Sequence, residues 1–537
     1  LAALSMAAVM SASAFGAVNV TAAGNGYISP EPERAIAFPG AEGAGKFATG
    51  GRGGEIYHVT NLNDSGTGSL RDAVSSGRRI VVFDVGGTIN LKSDISISGN
   101  ISVMGQTAPG GAGITVRNGK LAMAGDNIIV RYVSSRPGEK GSGDYDAWGG
   151  SKGSNSIIDH CSIGWANDEQ YGLYSGKNMT LQYTIIGPAN CLSTHSKGTH
   201  GFGPMFGAAN NSWHHNLICH NMSRNFRGKV DGSNAMDYVN NVIYDWGGQT
   251  AYGTFGHENY VGNYFKKGIS TRGGDNFGAL DSGSNYNVTK FFLEGNKMTD
   301  RKGSANSTMS NNNWNGGLSL NRNLNYYESH YRASQHFPIL VSGVDVSVAQ
   351  DYETADQAFE HVTSYAGAAI NKESRTRIDD EVLNDAINGT GSLSGGGSTS
   401  NVSSDVISKY SIKQVNYDEY YPEAILTKEI TDSDNDGMPD DWETARGLNP
   451  NDPSDASGCY LGGAYTNIEH YCNDLTVDSF PDGVVTLSPT LEELGDDYSK
   501  AIADLNALKL SKSKISDASD LTLATTGFKN GSDISLS

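Results

Sequence analysis

Basic and imidazole side chains are concentrated between Gln170 and Val230 of a chain that is otherwise acidic. The 537 residues carry a formal net charge of −20, yet this segment has no Asp or Glu where average composition would supply about seven. It holds five of the twelve histidines. Its cations are Lys177, Lys197, Arg224, Arg227 and Lys229. Such an electropositive patch suits an anionic ligand, whereas the overall acidity argues against a nucleic-acid partner.

Acidic side chains suited to a divalent cation lie just before this segment. Asp144 and Asp146 occupy alternate positions, so their side chains share one face if the chain is extended there. Asp168 and Glu169 follow one repeat later. Because Ca²⁺ prefers carboxylate oxygens, we interpret these four acids as a candidate calcium site. A solvated acidic turn is the alternative interpretation of the same spacing.

A second calcium site is predicted near the C-terminus. The sequence "DSDNDGMPDDWE" at 432–443 has the pattern of a twelve-residue calcium loop, with Gly437 at its sharp turn. The predicted ligand positions are Asp432, Asp434, Asp436, Met438, Asp440 and Glu443. No cationic surface adjoins this loop in the sequence, so we expect a structural ion in an EF-hand-like module at 425–480. An acidic loop without an ion is the alternative.

The elements that must position these groups are short β-rich runs that return between about Ile128 and Met298. Aligning the runs gives one column of residues with spacings of 28, 23, 32, 25, 22 and 33. The column is Val133, Cys161, Thr184, Asn216, Asn241, Asn263 and Asn296. Strands that repeat in this way without intervening helices predict an all-β fold, a right-handed parallel β-helix, with the asparagines forming an amide ladder. A β-sandwich would explain the strands but not the column.

The segments outside these repeats give weaker signals. Residues 1–24 are apolar and small, and we interpret them as a signal-peptide remnant of a secreted protein, extracellular or periplasmic; a buried N-terminal helix is the alternative. Helical apolar spacing marks 354–388, and the Gly- and Ser-rich composition of 389–401 predicts a flexible linker. No role is predicted for the tail at 481–537. No other stretch reaches the roughly 20 apolar residues of a membrane span, and we expect a monomer.

Ordered motifs across about residues 36–390 resemble one known family. They are "FPGAEGAGKFATGGRGGEIYHVTNLNDSGTGSLRDAV", "IVVFDVGGTI", "GQTAPG", "IIDHCSI", "HSKGTHGFG", "HHNLICHNMSRNFR" and "NNVIYDW". Together they strongly resemble the bacterial pectate lyases of polysaccharide lyase family 1. The C-terminal calcium loop resembles modules appended to secreted bacterial polysaccharide enzymes. The resemblance implies calcium-dependent, endo-type β-elimination of α-1,4-linked polygalacturonate (pectate), which yields 4,5-unsaturated oligogalacturonides.

The resemblance also implies roles for individual residues. It assigns Asp144, Asp146 and Glu169 to the active-site calcium. The family's fourth ligand position is Leu173 in this chain, so Asp168 is the expected substitute. The resemblance further assigns two residues of "HSKGTHGFG" to the binding of substrate, namely Lys197 and His200.

The family's catalytic arginine has two candidate positions. Counting ten residues from His214 selects Arg224, and counting back thirteen residues from Asn240 selects Arg227. We prefer Arg224 as the base that takes the C5 proton, because "RNFR" keeps the family pattern apart from Phe226. Arg227 is then expected to bind a substrate carboxylate. Two exposed arginines without a catalytic role are the alternative.

Three other functions remain open from the sequence. A polygalacturonase would share the fold and substrate, but it needs paired acids that the cationic segment lacks. A pectin lyase would accept methylated substrate without calcium, which the acids at 144, 146 and 169 argue against. A non-catalytic pectin-binding β-helix would keep the cations but would not need an ordered calcium site beside them.

Overall fold

The computed structural model describes residues 35–494, apart from 141–142, 208, 230–231, 233, 282–286, 321–327, 398–400 and 462. The predicted signal-peptide remnant at 1–24 and the tail beyond 494 therefore lie outside the described residues. Among the helices of the described part, none combines the length and the apolar character needed to cross a membrane.

Three parallel sheets wind around one axis, and successive coils contribute one strand to each sheet. Sheet I consists of β1 (Glu55–Val59), β2 (Arg79–Phe83), β5 (Ile101–Met104), β8 (Ile128–Arg131), β11 (Ser156–Asp159), β14 (Lys177–Gln182), β17 (Ala209–His214), β20 (Ala235–Val239), β23 (His257–Val261) and β26 (Lys290–Glu294). Sheet II consists of β3 (Gly87–Asn90), β6 (Ile114–Arg117), β9 (Val133–Ser135), β12 (Ser162–Ile163), β15 (Ile185–Ile186), β18 (Leu217–Cys219), β21 (Val242–Tyr244), β24 (Tyr264–Lys266) and β27 (Lys297–Thr299). Sheet III consists of β4 (Ile95–Ile97), β7 (Leu121–Met123), β10 (Trp148–Gly150), β13 (Tyr171–Leu173), β16 (Met205–Phe206), β19 (Arg227–Lys229), β22 (Ala251–Thr254), β25 (Gly278–Leu280) and β28 (Leu318–Leu320). The predicted all-β parallel β-helix is confirmed.

A ladder of side-chain amides fixes the corner between sheets I and II. The Nδ2 atom of Asn216 donates to Oδ1 of Asn241 at 2.9 Å, and Asn241 donates in the same way to Asn263 at 3.1 Å. Asn263 continues the ladder to Asn296 at 2.8 Å, and Asn296 to Asn313 at 3.0 Å. All five amides are buried, so each supplies the hydrogen-bond partner that its neighbour needs away from water. The predicted column is confirmed, and Asn313 extends it.

The helices lie outside the coils. They are α1 (Leu70–Ala73), α2 (Ser307–Asn311), α3 (Glu328–Tyr331), α4 (Ala355–Tyr365), α5 (Arg377–Asn388), α6 (Ser404–Tyr410), α7 (Asp440–Arg446), α8 (Asn467–Asp474) and α9 (Leu491–Leu494). The two longest, α4 and α5, fall in the segment predicted to be helical. Thr354 begins α4 with a capping box, and Gly389 ends α5 in a left-handed conformation. Both helices cover apolar side chains of sheet II. Two further strand pairs join β29 (Leu340–Val341) to β30 (Val344–Asp345), and β31 (Ser394–Gly395) to β32 (Lys413–Gln414).

Residues 389–397 pack on the β-helix, which differs from the flexible linker predicted for 389–401. Leu393 is fully buried, and the carbonyl of Ser394 accepts a hydrogen bond from the backbone N–H of Cys191 at 2.8 Å. A Cβ at Gly395 would lie 2.2 Å from the backbone nitrogen of Leu192. The small residues that suggested flexibility therefore allow a close approach between two backbones.

The C-terminal segment also packs against the first coils, where we expected an independent module. Met438 and Ile468 are buried with Ile80 of β2 in one apolar cluster. Arg52 and Glu469 form a buried ion pair at 2.9 Å across the same contact. Full burial of one such aliphatic side chain stabilises a fold by about 1.5–3 kcal/mol. Several of them make the coupling between this segment and the β-helix strong.

Candidate active site

Two acids stand at equivalent positions on neighbouring coils. Asp146 and Glu169 each precede a strand of sheet III by two residues, and the strands β10 and β13 pair in register. The Glu169 N–H donates to Oδ1 of Asp146 at 3.3 Å. Together with Asp168 they offer carboxylate oxygens that all lie within 4.8 Å of one another. This cleft acid cluster (Asp146, Asp168, Glu169) is the type of hard-oxygen donor set that Ca²⁺ uses.

The cleft acid cluster carries excess negative charge. Burial, with a smaller contribution from Asp168, raises the pKa of Asp146 to about 6 despite the attraction of Lys120. The Nζ atom of Lys120 lies 3.7 Å from Oδ2 of Asp146. A divalent cation among the three carboxylates would remove the repulsion that disfavours their ionised forms. The cluster therefore fits a calcium ion.

Two predicted ligand positions behave differently from this cluster. Leu173 is 1% exposed and belongs to the apolar core, so no oxygen stands at that position and Asp168 completes the group. Asp144 is not a member of the three-carboxylate group; it accepts a hydrogen bond from the backbone N–H of Ser196 at 2.8 Å. Its hydrogen bonds to Ser196 lower the pKa of Asp144. Direct coordination by Asp144 remains a prediction.

Arg224 reaches the cleft acid cluster. Its guanidinium forms an ion pair with Glu169, and its Nε donates to the hydroxyl of Tyr252 at 3.2 Å. The same guanidinium lies 4.4 Å from the ring centroid of Phe202, within the range of a cation–π contact. Three contacts therefore orient the side chain that we predicted to be the base.

Arg227 occupies a different position along sheet III. It begins β19, where it pairs in register with Tyr252 of β22, and its guanidinium lies 5.6 Å from that ring. Among the described contacts Arg227 has no acidic partner, whereas Arg224 has Glu169. This arrangement favours Arg224 over Arg227 as the group beside the candidate calcium site.

The loop that carries Lys197 and His200 forms one side of the site. His195 and His200 stack with ring centroids 3.8 Å apart, and Nε2 of His200 lies 3.5 Å from Asp168. Burial and the neighbouring His195 lower the pKa of His200 to about 4, so its ring is neutral near pH 7. His195, His200 and Asp168 each offer one ligand atom, and these atoms lie within 4.8 Å of one another. Lys197 is exposed, so its charge is open to an anionic ligand.

Sequence reasoning missed two neighbours of the site, Lys120 and Tyr252. Leu121, the residue after Lys120, pairs in register with Trp148, and Asp146 precedes Trp148 by two residues. Lys120 therefore lies on the coil that precedes the coil of Asp146. Tyr252 pairs with Arg227. A column of residues for sheet III, built like the asparagine column, would have found both. The variable loops before sheet III hid that column.

The C-terminal loop gathers a second acid cluster. Carboxylate oxygens of Asp432, Asp434 and Asp436 lie within 4.8 Å of one another, and those of Asp436, Glu443 and Asp455 do so as well. We call these five residues the C-terminal acid cluster. Gly437 has φ +95°, as the sharp turn of the predicted calcium loop requires. Asp455 was not predicted, because it lies outside the twelve-residue pattern.

The other two predicted positions of this loop, Asp440 and Met438, are placed differently. Asp440 begins α7, and its carboxylate accepts two hydrogen bonds from Ser433. It is not a member of the C-terminal acid cluster, because those hydrogen bonds turn it toward the loop backbone. The side chain of Met438 is fully buried in the contact with the first coils. A role for its backbone carbonyl remains a prediction.

Comparison with known proteins supplies the family. No family model matches the chain. The chain is 36% identical over 468 residues to probable pectate lyase C of Aspergillus terreus, covering 83% of this chain and 95% of that protein. It is 34% identical over 467 residues to probable pectate lyase C of Emericella nidulans, covering 83% and 94%. The crystal structure of Jun a 1, the major allergen from cedar pollen, matches 60% of this chain and 90% of that chain at 16% identity and a TM-score of 0.39.

The assignment rests on the sequence relatives. They are fungal, so the comparisons support the pectate lyases in general and not the bacterial type with an appended module that the motifs suggested. The match covers 83% of the chain, more than residues 1–390 would supply, so it extends into the C-terminal segment. At 36% identity over 95% of a relative's length, the chain belongs to the pectate lyase family of enzymes.

Proposed function

We propose that this enzyme cleaves de-esterified α-1,4-linked polygalacturonate by calcium-dependent β-elimination. The observation that carries the proposal is the contact between Arg224 and the cleft acid cluster, through the ion pair with Glu169. That contact brings a candidate base to a candidate cation site on one edge of sheet III. The names of the relatives, probable pectate lyases, support the same substrate.

The cleft acid cluster would hold the calcium ion through Asp146, Asp168 and Glu169. When bound there, the ion supplies positive charge that binds the uronate carboxylate and stabilises negative charge developing next to it. The chain's own cations extend this effect. Lys197 is exposed beside the cluster, and Arg227 begins β19, two strands along sheet III from β13, so both are available to uronate carboxylates on either side of the cleaved bond.

Arg224 would remove the proton from C5 of the uronate. The C5–H electrons then form the C4–C5 double bond, and the C4–O4 bond breaks with its electrons leaving on O4. The hydrogen bond from Nε to Tyr252 and the ion pair of Nη1 with Glu169 fix the guanidinium plane and leave Nη2 to face the substrate. Only a neutral guanidine nitrogen can accept a proton, so we expect turnover to increase with pH.

The site requires a substrate with free carboxylates. Esterified uronates lack the charge that the cations and a calcium ion would bind, so highly methylated pectin should be a poor substrate. We propose endo-type cleavage, following the family resemblance. Pectate is a polymer too large to cross a membrane, which supports the predicted export of the enzyme.

The test measures the absorbance of the unsaturated product on polygalacturonate and on highly methylated pectin. Each substrate is tested with chelator, and again after Ca²⁺ is restored. We expect product only on polygalacturonate with Ca²⁺, and an early loss of viscosity if cleavage is internal. Full turnover in excess chelator would point to a pectin lyase type of mechanism. Saturated reducing ends would point to a hydrolase, and binding without product to a non-catalytic β-helix.

A further inference from the structure

A third cluster of metal-binding side chains lies away from sheet III, at the corner between sheets I and II. His215, Glu353 and His361 each offer one ligand atom, and these atoms all lie within 4.8 Å of one another. His215 belongs to the turn between β17 and β18, and the other two residues belong to α4 and the residues before it. None of the three has a part in the proposed elimination.

His215 is held rigidly by its surroundings. It adopts φ +55° directly after β17, and its ring stacks on Tyr183 with centroids 4.9 Å apart. Its Nδ1 atom lies 2.9 Å from Nδ1 of His214, which fixes the ring's rotation. The residue is only 6% exposed, so its Nε2 atom points into the cluster from a buried position.

Glu353 and His361 are anchored independently of His215. The backbone N–H of Glu353 donates to Oδ1 of Asn240 at 3.0 Å, and Nδ2 of Asn240 donates back to the Glu353 carbonyl at 2.8 Å. His361 lies in α4, and its Nδ1 is 2.8 Å from Oε1 of Glu353. The carboxylate is thus aimed at both imidazoles.

The spacing of one pair in this cluster suits two ligands of a single cation. Nε2 of His215 and Oε2 of Glu353 are 3.4 Å apart, and within the described part of the chain neither atom has a hydrogen-bond partner. A charge-assisted N–H···O bond would be shorter, at about 2.7–2.9 Å. In a tetrahedral zinc site with bonds of about 2.1 Å, two ligand atoms are roughly 3.4 Å apart.

We propose that His215, Glu353 and His361 form a binding site for Zn²⁺ or a chemically similar transition-metal ion, with a fourth position open to water. Two imidazoles and one carboxylate suit such an ion, whereas the carboxylates of the cleft acid cluster and of the C-terminal acid cluster suit Ca²⁺. The ion would join α4 to the corner of the β-helix. The site is therefore expected to stabilise the packing of α4 and to be chemically distinct from the calcium sites.

The test uses tag-free full-length enzyme from which bound metal has been removed with chelator. The enzyme is then kept in saturating Ca²⁺, so that the acid clusters are occupied and do not contribute to the Zn²⁺ binding signal. Zn²⁺ binding is measured by calorimetry, and Co²⁺ is added separately because a tetrahedral Co²⁺ complex has intense visible bands. We expect one tight Zn²⁺ per chain and a Zn²⁺-dependent rise in Tm. Both His361→Ala and Glu353→Gln should weaken binding by more than ~100-fold.

His336→Ala is the matched control. Nε2 of His336 is also 3.4 Å from a carboxylate oxygen, that of Asp345, but this pair belongs to no three-ligand group among the residues described. We expect His336→Ala to retain the tight site and the Co²⁺ bands. The proposal is overturned if the wild type binds no Zn²⁺ in saturating Ca²⁺, if His361→Ala and Glu353→Gln bind it as tightly as the wild type, or if His336→Ala loses it equally.

Discussion

The two acid clusters of this enzyme differ in what neutralises them. The cleft acid cluster has cations within reach, because Lys120 lies 3.7 Å from Asp146 and Arg224 pairs with Glu169. The C-terminal acid cluster has no Lys or Arg partner in the described part of the chain. Several buried oxygens of its members lack any hydrogen-bond donor among the described residues.

The highest pKa values in the two clusters follow this difference. Burial, together with the neighbouring acids, raises the pKa of Asp436 to about 8 and that of Glu443 to about 9. In the cleft the pKa of Asp146 rises only to about 6. A site with its own cations can keep its carboxylates ionised without a metal. A site without them is stable in its ionised form only with an ion bound.

The largest effect should come from substituting Arg224, the cation that pairs with Glu169 of the cleft acid cluster. Arg224→Lys keeps the charge but loses the planar guanidinium, so we expect kcat to fall by about 10²–10⁴-fold with little change in substrate binding. Arg227→Lys, its matched control, should mainly raise KM. Steady-state kinetics of both variants on polygalacturonate decide the assignment. Loss of kcat in Arg227→Lys alone would reverse the two roles.

The second prediction concerns the cluster without cations. Glu443→Gln should abolish the stabilisation by Ca²⁺, worth about 2.7 kcal/mol when Ca²⁺ is at 100 times its Kd, while turnover in saturating Ca²⁺ changes little. Because this segment packs on the first coils, the loss should appear in the unfolding of the β-helix itself, measured by denaturant titration. Asp441→Asn, which changes an exposed acid outside the cluster, is the control. Equal losses in both variants would contradict a specific site.

The comparison extends to His220, a buried histidine whose positive charge can be removed by raising the pH. Burial lowers the pKa of His220, but hydrogen bonds and attraction from Asp245 and Asp385 outweigh it and raise the value to about 9. This is above the ordinary value of about 6.5, so the stabilisation is complete below pH 6.5 and is lost as pH rises through 9. We expect a loss of about 2 kcal/mol between pH 7 and 9.

That pH dependence should be smaller in His220→Gln than in the wild type. Urea unfolding at pH 7 and pH 9 measures it. His257→Gln is a suitable control, because burial lowers the pKa of His257 and its charge is not needed near pH 7. An unchanged pH dependence in His220→Gln would remove His220 from this role.

The smallest expected effect distinguishes Asp146 from Asp144, two acids that the sequence predicted to have the same role as calcium ligands. Asp146→Asn removes a member of the cleft acid cluster, so we expect a roughly tenfold increase in the Ca²⁺ concentration for half-maximal activity. Asp144→Asn should change it less, because Asp144 is held by Ser196. Ca²⁺ titrations of initial rate test this order. If Asp144→Asn has the larger effect, the ligand set proposed from the sequence is the better one.

The sequence predicted the coils well because the asparagine ladder repeats in the chain. Asn216, Asn241 and their successors occupy the same corner of each coil, so one column revealed the fold. The site was harder to predict, since loops of unequal length separate its residues and hide which side chains are neighbours. Lys120 was missed for this reason, whereas Asp455 was missed because it lies outside the twelve-residue pattern of the calcium loop. The Gly- and Ser-rich composition misled at 389–397, because composition reports the flexibility of a free chain and not the packing that the β-helix offers to these residues.

The packing of the C-terminal segment has a consequence for biosynthesis. Gln106 in the early coils donates to the carbonyl of Cys472, a separation of 366 residues, and Arg52 pairs with Glu469 across 417 residues. Ile80 and its apolar neighbours on sheet I stay uncovered until the last part of the chain has been synthesised. During synthesis the β-helix therefore exposes an apolar face until the C-terminal segment covers it. Aggregation through that face competes with correct folding over this interval.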